Sequence, residues 1–459
     1  MTSTNSDTTN TVPAAATGPA APEPLARQLS GLGVWLLVIN GTIGAGIFGL
    51  PAEAARLAGH FSPWIFAICA ALMLPVMLCF AELASRVDGT GGPARYVGDA
   101  FGPFAGFQAG WAFYVARLTA FAANAVLLVG AIGHFWPGAD EPGVRLALLF
   151  VVCAGLTTLN AAGTRGAIRS LGVLTLLKFI PLIALVVYGL LRMPTSVLAA
   201  VSAAPPPNAE LGAAVLLVFY AFVGFESGLV PAGEARDPRR DMPRALFLGL
   251  AVVALLYVGL QAVSLAALPG LAATRRPLVE VGGELFGPAG ALLMMAGLVV
   301  SVGANLVGSM FSTPRISYAL ALAGSLPAWF GRVAPRFGTP AVSIIVYGAA
   351  AFVLAAGGTF AWLAGLSVLT RVFIYLACIA SLPAMRRRSA ATGEGRLLDR
   401  NTIRLPGGFL IPAVAVLVCL ALLTQVKPGD YLATAAMLAV GTVLFASARL
   451  AGSGSRTRD

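Results

Sequence analysis

Asn40-Gly41-Thr42-Ile43-Gly44-Ala45-Gly46-Ile47-Phe48-Gly49-Leu50-Pro51 lies inside an apolar run from about Gly33 to Ala58. About 20 apolar residues match the hydrocarbon core of a bilayer, so the run is long enough to cross one. Its middle carries Gly41, Gly44, Gly46 and Gly49, which weaken a helix where no water is present to satisfy the freed N–H and C=O groups. A break at that depth is tolerated where it lines a cavity or binds a ligand. Secondary transporters build substrate sites in this way, with the ends of half-helices turned toward the ligand.

Gly44-Ala45-Gly46-Ile47-Phe48-Gly49 also satisfies the dinucleotide pattern G-x-G-x-x-G. That pattern carries meaning after a strand and inside a βαβ unit, and here the glycines interrupt a membrane-length apolar segment instead. A structural alternative is that the glycines let two membrane helices pack closely. A second interrupted span elsewhere in the chain would favour a ligand site over simple packing.

Composition sets the class. The chain has 459 residues, 58% hydrophobic and 11% charged, with a mean hydropathy of +0.86, which describes a polytopic membrane protein in a lipid bilayer. The formal charge of +11 comes from arginines between apolar spans, where they orient the chain, so no nucleic-acid partner is expected. Cys69, Cys79, Cys153, Cys378 and Cys419 all lie in apolar runs without C-x-x-C spacing and read as small buried hydrophobes. No metal or cofactor is expected. His60 and His134 fall near the outer ends of spans and read as interfacial histidines.

Residues 1–30, rich in Thr, Ala, Pro and Ser, read as a disordered cytoplasmic tail. Hydropathy then predicts about twelve spans, centred on 33–58, 62–85, 103–135, 144–162, 170–191, 211–232, 245–269, 288–312, 340–358, 360–384, 406–425 and 430–449. With the N-terminus inside, the inward segments carry about three times as many Arg and Lys residues as the outward ones, supporting an even number of spans and two cytoplasmic termini. Pro277 to Phe286 is amphipathic and reads as a short helix over the outer face, either a lid or an interfacial helix. Residues 389–449 hold a loop and two further spans with few internal polar groups, a scaffold or oligomer contact, and 450–459 form a short polar tail.

The second interruption is in span 6: Phe219-Tyr220-Ala221-Phe222-Val223-Gly224-Phe225-Glu226-Ser227-Gly228, with Pro231 and Gly233 beyond. Interruptions in corresponding positions of two halves point to an inverted-repeat transporter and its binding site. Four ionisable residues lie well inside apolar spans: Arg117 in span 3, Lys178 in span 5, Glu226 in span 6 and Arg371 in span 10. Each costs about 2.5–3.5 kcal/mol at the bilayer centre unless it faces a cavity or a partner. Lys178 is one of two lysines in the chain, and a buried lysine titrates far more readily than an arginine. Lys178 and Glu226 are therefore the candidates for coupling and gating by protons. Helical steps place Gly110, Tyr114, Arg117, Phe121 and Asn124 on one face of span 3, Ser301, Asn305 and Ser309 on one face of span 8, and Ser367 with Arg371 in span 10, either lining a shared cavity or making helix contacts.

Residues 41–48, Gly-Thr-Ile-Gly-Ala-Gly-Ile-Phe, resemble the first-span signature of the amino acid–polyamine–organocation superfamily of transporters. Ala81-Glu82-Leu83, Gly91-Gly92-Pro93 with Tyr96, and Ala100-Phe101-Gly102-Pro103 are similar to the segments that follow it. Phe222 to Glu226 with Glu234 to Pro243 looks like its sixth span and loop, and Pro314-Arg315, Tyr318 to Ala321, Gly324 to Pro327 and Gly338-Thr339-Pro340 like the loop after the eighth. The resemblance runs from about Gly33 to Arg388. It implies an all-α leucine-transporter-like fold with a transport core over 31–388, made of two five-span inverted repeats at about 31–192 and 211–388, plus two C-terminal helices. It also implies alternating access, with an amino acid or related amine as substrate and protons as coupling ions or substrate as exchange partner.

By the same resemblance, backbone N–H groups of Gly44, Ala45, Gly46 and Ile47, within a first break that also includes Ile43, hold the substrate carboxylate. Carbonyls near Thr42, Tyr220 and Val223 hold its amine, beside Gly224, Asn124 and Asn305. Glu226 resembles a sixth-span gating glutamate, and Lys178 resembles a fifth-span lysine that stands in for sodium and bridges span 1 to span 8. Arg117 departs from the small or neutral residues that known members carry in span 3. Either it pairs with Glu226, leaving a roughly neutral pocket, or it selects an anionic substrate.

Rival readings are a membrane enzyme, disfavoured by the lack of H-E-x-x-H, G-x-S-x-G or a membrane histidine, and a transporter-fold nutrient sensor, disfavoured by the lack of a soluble output domain. A carrier of small organic anions is a further alternative. Arg-rich, Lys-poor usage suits a GC-rich bacterial genome and hence a bacterial inner membrane.

Overall fold

The computed structural model describes residues 30–44, 46–86, 92–133, 136–162, 167–201, 204–229, 237–391 and 405–455. In chain order the α-helices among them are α1 (Gly31–Thr42), α2 (Gly46–Ala58), α3 (Ser62–Arg86), α4 (Pro93–Phe101), α5 (Pro103–Ile132), α6 (Pro142–Ala161), α7 (Ala167–Arg192), α8 (Pro194–Ala200), α9 (Leu211–Phe219), α10 (Pro238–Ala267), α11 (Pro277–Phe286), α12 (Pro288–Leu322), α13 (Ala341–Gly357), α14 (Phe360–Ala391), α15 (Leu410–Leu423) and α16 (Pro428–Ser455). Among the described residues nine helical segments are long and apolar enough to cross a bilayer, and α1, α13 and α15 are shorter apolar helices. Leu191, Leu255 and Leu432 are 75%, 77% and 74% exposed. Large apolar side chains turned outward on long helices are what a hydrocarbon solvent requires.

The glycine-rich run folds as two helices rather than one. Ser30 starts α1 by accepting a hydrogen bond from the Gly33 N–H at 3.2 Å. The helix ends at Ile43, whose φ of −82° and ψ of 90° leave the helical region, and α2 begins again at Gly46. Ala45 lies outside the described residues. The sixth apolar run breaks in parallel fashion. After α9 come a 3₁₀ turn at Tyr220–Phe222, an extended Val223, Gly224 at φ +106°, and a second 3₁₀ turn at Phe225–Gly228. A side chain at that positive φ would be strained. Pro231 and Gly233, expected to contribute, fall outside the described residues.

The two breaks touch. A Cβ placed on Gly41 would stand 2.3 Å from the Gly224 carbonyl oxygen, and one on Gly224 would stand 2.2 Å from the Gly41 carbonyl oxygen. Only two glycines allow this crossing.

Around the breaks, α5 is the central post, packed against α14, α12 and α13 and buried along most of its length. Helix α3 packs on α10, α9 and α15, and α7 lies against α12 and α10. Gly297 of α12 sits under Pro181 of α7, where an added Cβ would be 2.5 Å from the proline ring. That close approach fixes two residues near the first break, Lys178 one turn before Pro181 and Ser301 one turn after Gly297. At one end of the bundle, Glu82 of α3 is fully buried and receives Arg86 at 2.9 Å and Arg386 of α14 at 2.5 Å. The Leu405 N–H donates to the same carboxylate at 3.3 Å, so the group ties α3, α14 and the approach to α15 together. The amphipathic stretch is the helix α11, with Leu278, Val279 and Val281 buried. Helices α6 and α16 are mostly exposed, at the periphery.

Gly41→Ala and Gly224→Ala are each expected to destabilise the protein by about 1–3 kcal/mol or more, the cost of forcing atoms into a filled contact. Gly303→Ala in α12, where nothing lies within 4 Å of an added Cβ, serves as the neutral control. Thermal unfolding midpoints in detergent measure the difference.

Candidate functional site

A break in a membrane helix leaves carbonyl oxygens at the end of one half and N–H groups at the start of the other without intrahelical partners. At the end of α1 those carbonyls are met by side chains from three other helices. Lys178 of α7, fully buried, donates to the Ile43 carbonyl at 2.6 Å, the Asn40 side-chain oxygen at 2.8 Å and the Asn40 carbonyl at 3.3 Å. Ser301 of α12 donates to the Ile43 carbonyl at 3.5 Å and the Gly44 carbonyl at 3.4 Å. Tyr257 of α10 donates to the Thr42 carbonyl at 3.4 Å, which also accepts the Gly44 N–H at 3.1 Å. A cation at a helix C-terminus is further stabilised by the helix dipole.

On the other side of the break a hydrogen-bonded chain crosses the bundle. The Tyr220 hydroxyl donates to the Asn124 side-chain oxygen at 3.2 Å, the Asn124 amide donates to the Asn305 oxygen at 3.0 Å, and the Asn305 amide donates to the Asn40 carbonyl at 3.3 Å. It links both interrupted helices with α5 and α12. Gly44 lies directly beside it, an added Cβ being 3.2 Å from the Asn305 amide nitrogen.

These groups line a small cavity between the two breaks. Its walls are Gly41, Thr42, Gly44 and Gly46 from the first break, and Tyr220, Val223 and Gly224 from the second. Arg117, Ala120 and Asn124 of α5, Asn305 of α12 and Arg371 of α14 complete it. The N-terminus of α2 opens here with partial positive charge and free donors, while the end of α1 and the extended Val223 bring carbonyls.

Most of the residues singled out from sequence therefore converge. Ile43 and Ile47 are fully buried and stand behind the cavity wall, Ile43 as the carbonyl that Lys178 grips. Glu226, also fully buried, stands one layer behind as well. Its carboxylate accepts from Arg371 Nε at 2.5 Å, from the Gly224 N–H at 3.0 Å and from the Tyr375 hydroxyl at 3.3 Å. Of the two readings of Arg117, pairing with Glu226 is not what the structure holds, because Arg371 occupies that carboxylate. Arg117 instead donates to hydroxyls: Ser227 at 2.6 Å, Thr313 at 3.4 Å and Ser312 at 3.4 Å.

Sequence reasoning put Arg371, which the structure places in the cavity wall, on a polar face of span 10 and gave it no specific role. It also passed over Tyr257, Ser227 and Tyr375. The available signal was Tyr375, one helical turn after Arg371 and two after Ser367, which puts a polar stripe on an otherwise apolar helix. Arg371 also donates to Ser367 Oγ and, at 3.2 Å, to the Ala116 carbonyl on α5, so α14 and α5 are joined at the depth of the second break.

The described helices, with their exposed apolar faces and a polar cavity between two interrupted segments, define a polytopic membrane protein. The family model described as amino acid permease matches residues 29–451, and the chain belongs to that family, within the amino acid–polyamine–organocation superfamily. Among its relatives is a putative arginine/ornithine antiporter of Bacillus subtilis, 28% identical over 359 residues, covering 70% of this chain and 75% of that one. The serine/threonine exchanger SteT of the same organism is 27% identical over 392 residues, 81% and 86% of the two chains. An uncharacterized transporter of Mycobacterium tuberculosis is 29% identical over 456 residues, 95% of each. The protein is thus an amino acid transporter and not an enzyme.

Removing one partner of a buried ion pair costs about 3–5 kcal/mol. Glu226→Gln and Arg371→Met are each expected to show a loss of that order, while the double substitution, which leaves no unpaired charge, lies closer to wild type than either single. Unfolding midpoints of the three variants make the comparison.

Proposed function

We propose that the protein is a secondary active transporter that moves an amino acid or related amine by alternating access, as a proton-coupled symporter or an exchanger. The reading is carried by one observation: the interrupted helices meet at Gly41 and Gly224 around a single cavity that offers helix-terminal donors on one side and carbonyls on the other. A zwitterion has the complementary ends. Its carboxylate lies at the N-terminus of α2, on backbone N–H groups of the Gly44 to Ile47 segment. Its amine faces the carbonyls near Thr42, Tyr220 and Val223, and Asn124 and Asn305 stand beside its main-chain end.

Alternating access belongs with a core of two five-helix repeats, about 31–192 and 211–388, in a fold of twelve spans, with α15 and α16 outside the core. The arginine distribution supports an inner-membrane orientation with both termini in the cytoplasm. Lys178 acts as a built-in cation at the end of α1. A group that already neutralises this helix end leaves no role there for sodium, and loss or gain of its proton alters the grip of α7 on α1. Glu226 acts with Arg371 as the strut that holds the second break.

Uptake of a radiolabelled amino acid panel into proteoliposomes tests the reading. Accumulation driven by an inward proton gradient identifies symport, and uptake only into substrate-loaded vesicles identifies exchange. In either case replacing sodium by choline is expected to leave the rate unchanged, and Lys178→Ala, which frees the Ile43 and Asn40 acceptors in a buried site, is expected to reduce it by about tenfold or more. Failure of every amino acid to enter under both regimes would contradict the proposal.

A further inference from the structure

The geometry points to an amino acid with an acidic side chain as the substrate, its second carboxylate taken by Arg117. The inference rests on the cavity being an amino acid site, and it follows from the charges that surround that cavity.

Among the described residues the charged side chains buried in the bundle are Glu82, Arg117, Lys178, Glu226 and Arg371. Glu82 belongs to the cluster with Arg86 and Arg386. Lys178 is committed to the end of α1, where three of its contacts are oxygens of Asn40 and Ile43. Glu226 is committed to Arg371 at 2.5 Å. Arg117 has no carboxylate partner among the described residues, and its three side-chain partners are hydroxyls. It is 8% exposed and forms part of the cavity wall together with Arg371.

The cavity wall therefore has two guanidiniums and, behind one of them, a single carboxylate. A guanidinium remains charged and presents a planar fork of donors shaped for a carboxylate. Hydroxyls satisfy part of that fork but supply no charge, and an uncompensated cation in a low-dielectric interior is costly. A zwitterion, neutral overall, leaves this excess charge in place. A cationic side chain would add a like charge to it. A second carboxylate removes it.

Position agrees. Arg117 and Asn124 lie on the same face of α5, separated by seven residues, about 10 Å. Asn124 stands beside Gly44 at the first break, where the main-chain end of the substrate docks. Ser227, which Arg117 touches at 2.6 Å, lies beside Gly41, at the other end of the cavity. The site thus has a zwitterion end and a cationic end, as a dicarboxylic amino acid has. The amino acids for which two of the relatives are named, arginine and ornithine, and serine and threonine, bring no such anion.

The test uses full-length protein in proteoliposomes and ranks L-aspartate, L-glutamate, L-serine, L-threonine, L-arginine and L-ornithine as competitors and as labelled substrates. Wild type is expected to favour the two acidic amino acids. Arg117→Gln is expected to lose about thirtyfold or more of that preference, as removal of one partner of a buried charge pair does, while neutral amino acids are taken up as well or better. Arg117→Lys, which keeps the charge without the fork, is expected to be intermediate. The wild-type ranking stands without any variant, so a poorly folded Arg117→Gln protein does not remove the test. Preference of wild type for neutral or basic amino acids overturns this inference and leaves the transporter reading intact. Equal acidic uptake by wild type and a monodisperse Arg117→Gln also overturns it. Transport of none of the six overturns this inference, and the transporter reading falls with it only where the whole amino acid panel fails to enter as well.

Discussion

The contact between Gly41 and Gly224 is the constraint on which the rest of the site depends. Each glycine has its Cα against the other's carbonyl, at distances that would put a methyl group 2.3 and 2.2 Å from an oxygen. Two membrane helices can approach this closely only where both lack side chains, and both must be unwound nearby for the backbone to turn away again. Gly224 does so through a φ of +106°. The crossing places the end of α1, the start of α2 and the Tyr220–Gly224 segment around one small space, and the polar groups around it make that space tolerable inside a membrane.

Tolerance comes from substitution of partners. The carbonyls that α1 no longer uses are bonded by Lys178, Ser301, Tyr257 and Asn305, each from a different position on α7, α10 or α12. The approach of Gly297 to Pro181 holds two of those donors at the correct depth. On the second break, Glu226 accepts the Gly224 N–H and is itself gripped by Arg371 and Tyr375. Lone buried charges are expensive, and here each has been given oxygens, a helix end or an opposite charge. Arg117 is the exception in charge though not in hydrogen bonding, which is why the proposal assigns it to the substrate's side chain.

Much of this could be read from the chain. Glycines grouped at mid-span are visible because they violate what a membrane helix requires, and the second group, five apolar runs later, is visible for the same reason. The helical segments cover the apolar runs read from hydropathy, since length and apolarity are local properties. The pairing of charges was not legible. Glu226 is separated by 145 residues from Arg371 and, in the other direction, by 109 from Arg117, and sequence gives the face of each helix without the rotation that decides which arginine arrives. The span-3 face that carries Arg117 and Asn124 was clear from steps of three and four. That Asn124 bonds Tyr220 and Asn305, or that Tyr257 reaches Thr42, depends on the packing of four helices at once. Tyr257 in particular sits among apolar neighbours from Ala245 to Leu260, where a tyrosine is indistinguishable from a filler until its hydroxyl finds a carbonyl.

The central claim is that the cavity between the two breaks is where the amino acid binds. An experimental structure of the protein with its transported amino acid, as identified by uptake, measures this directly. The account predicts ligand density between Gly44 to Ile47 and Tyr220 to Gly224, with the carboxylate at the start of α2 and the side chain directed toward Arg117. Density elsewhere in the bundle, with the space beside Gly41 and Gly224 empty, would contradict it.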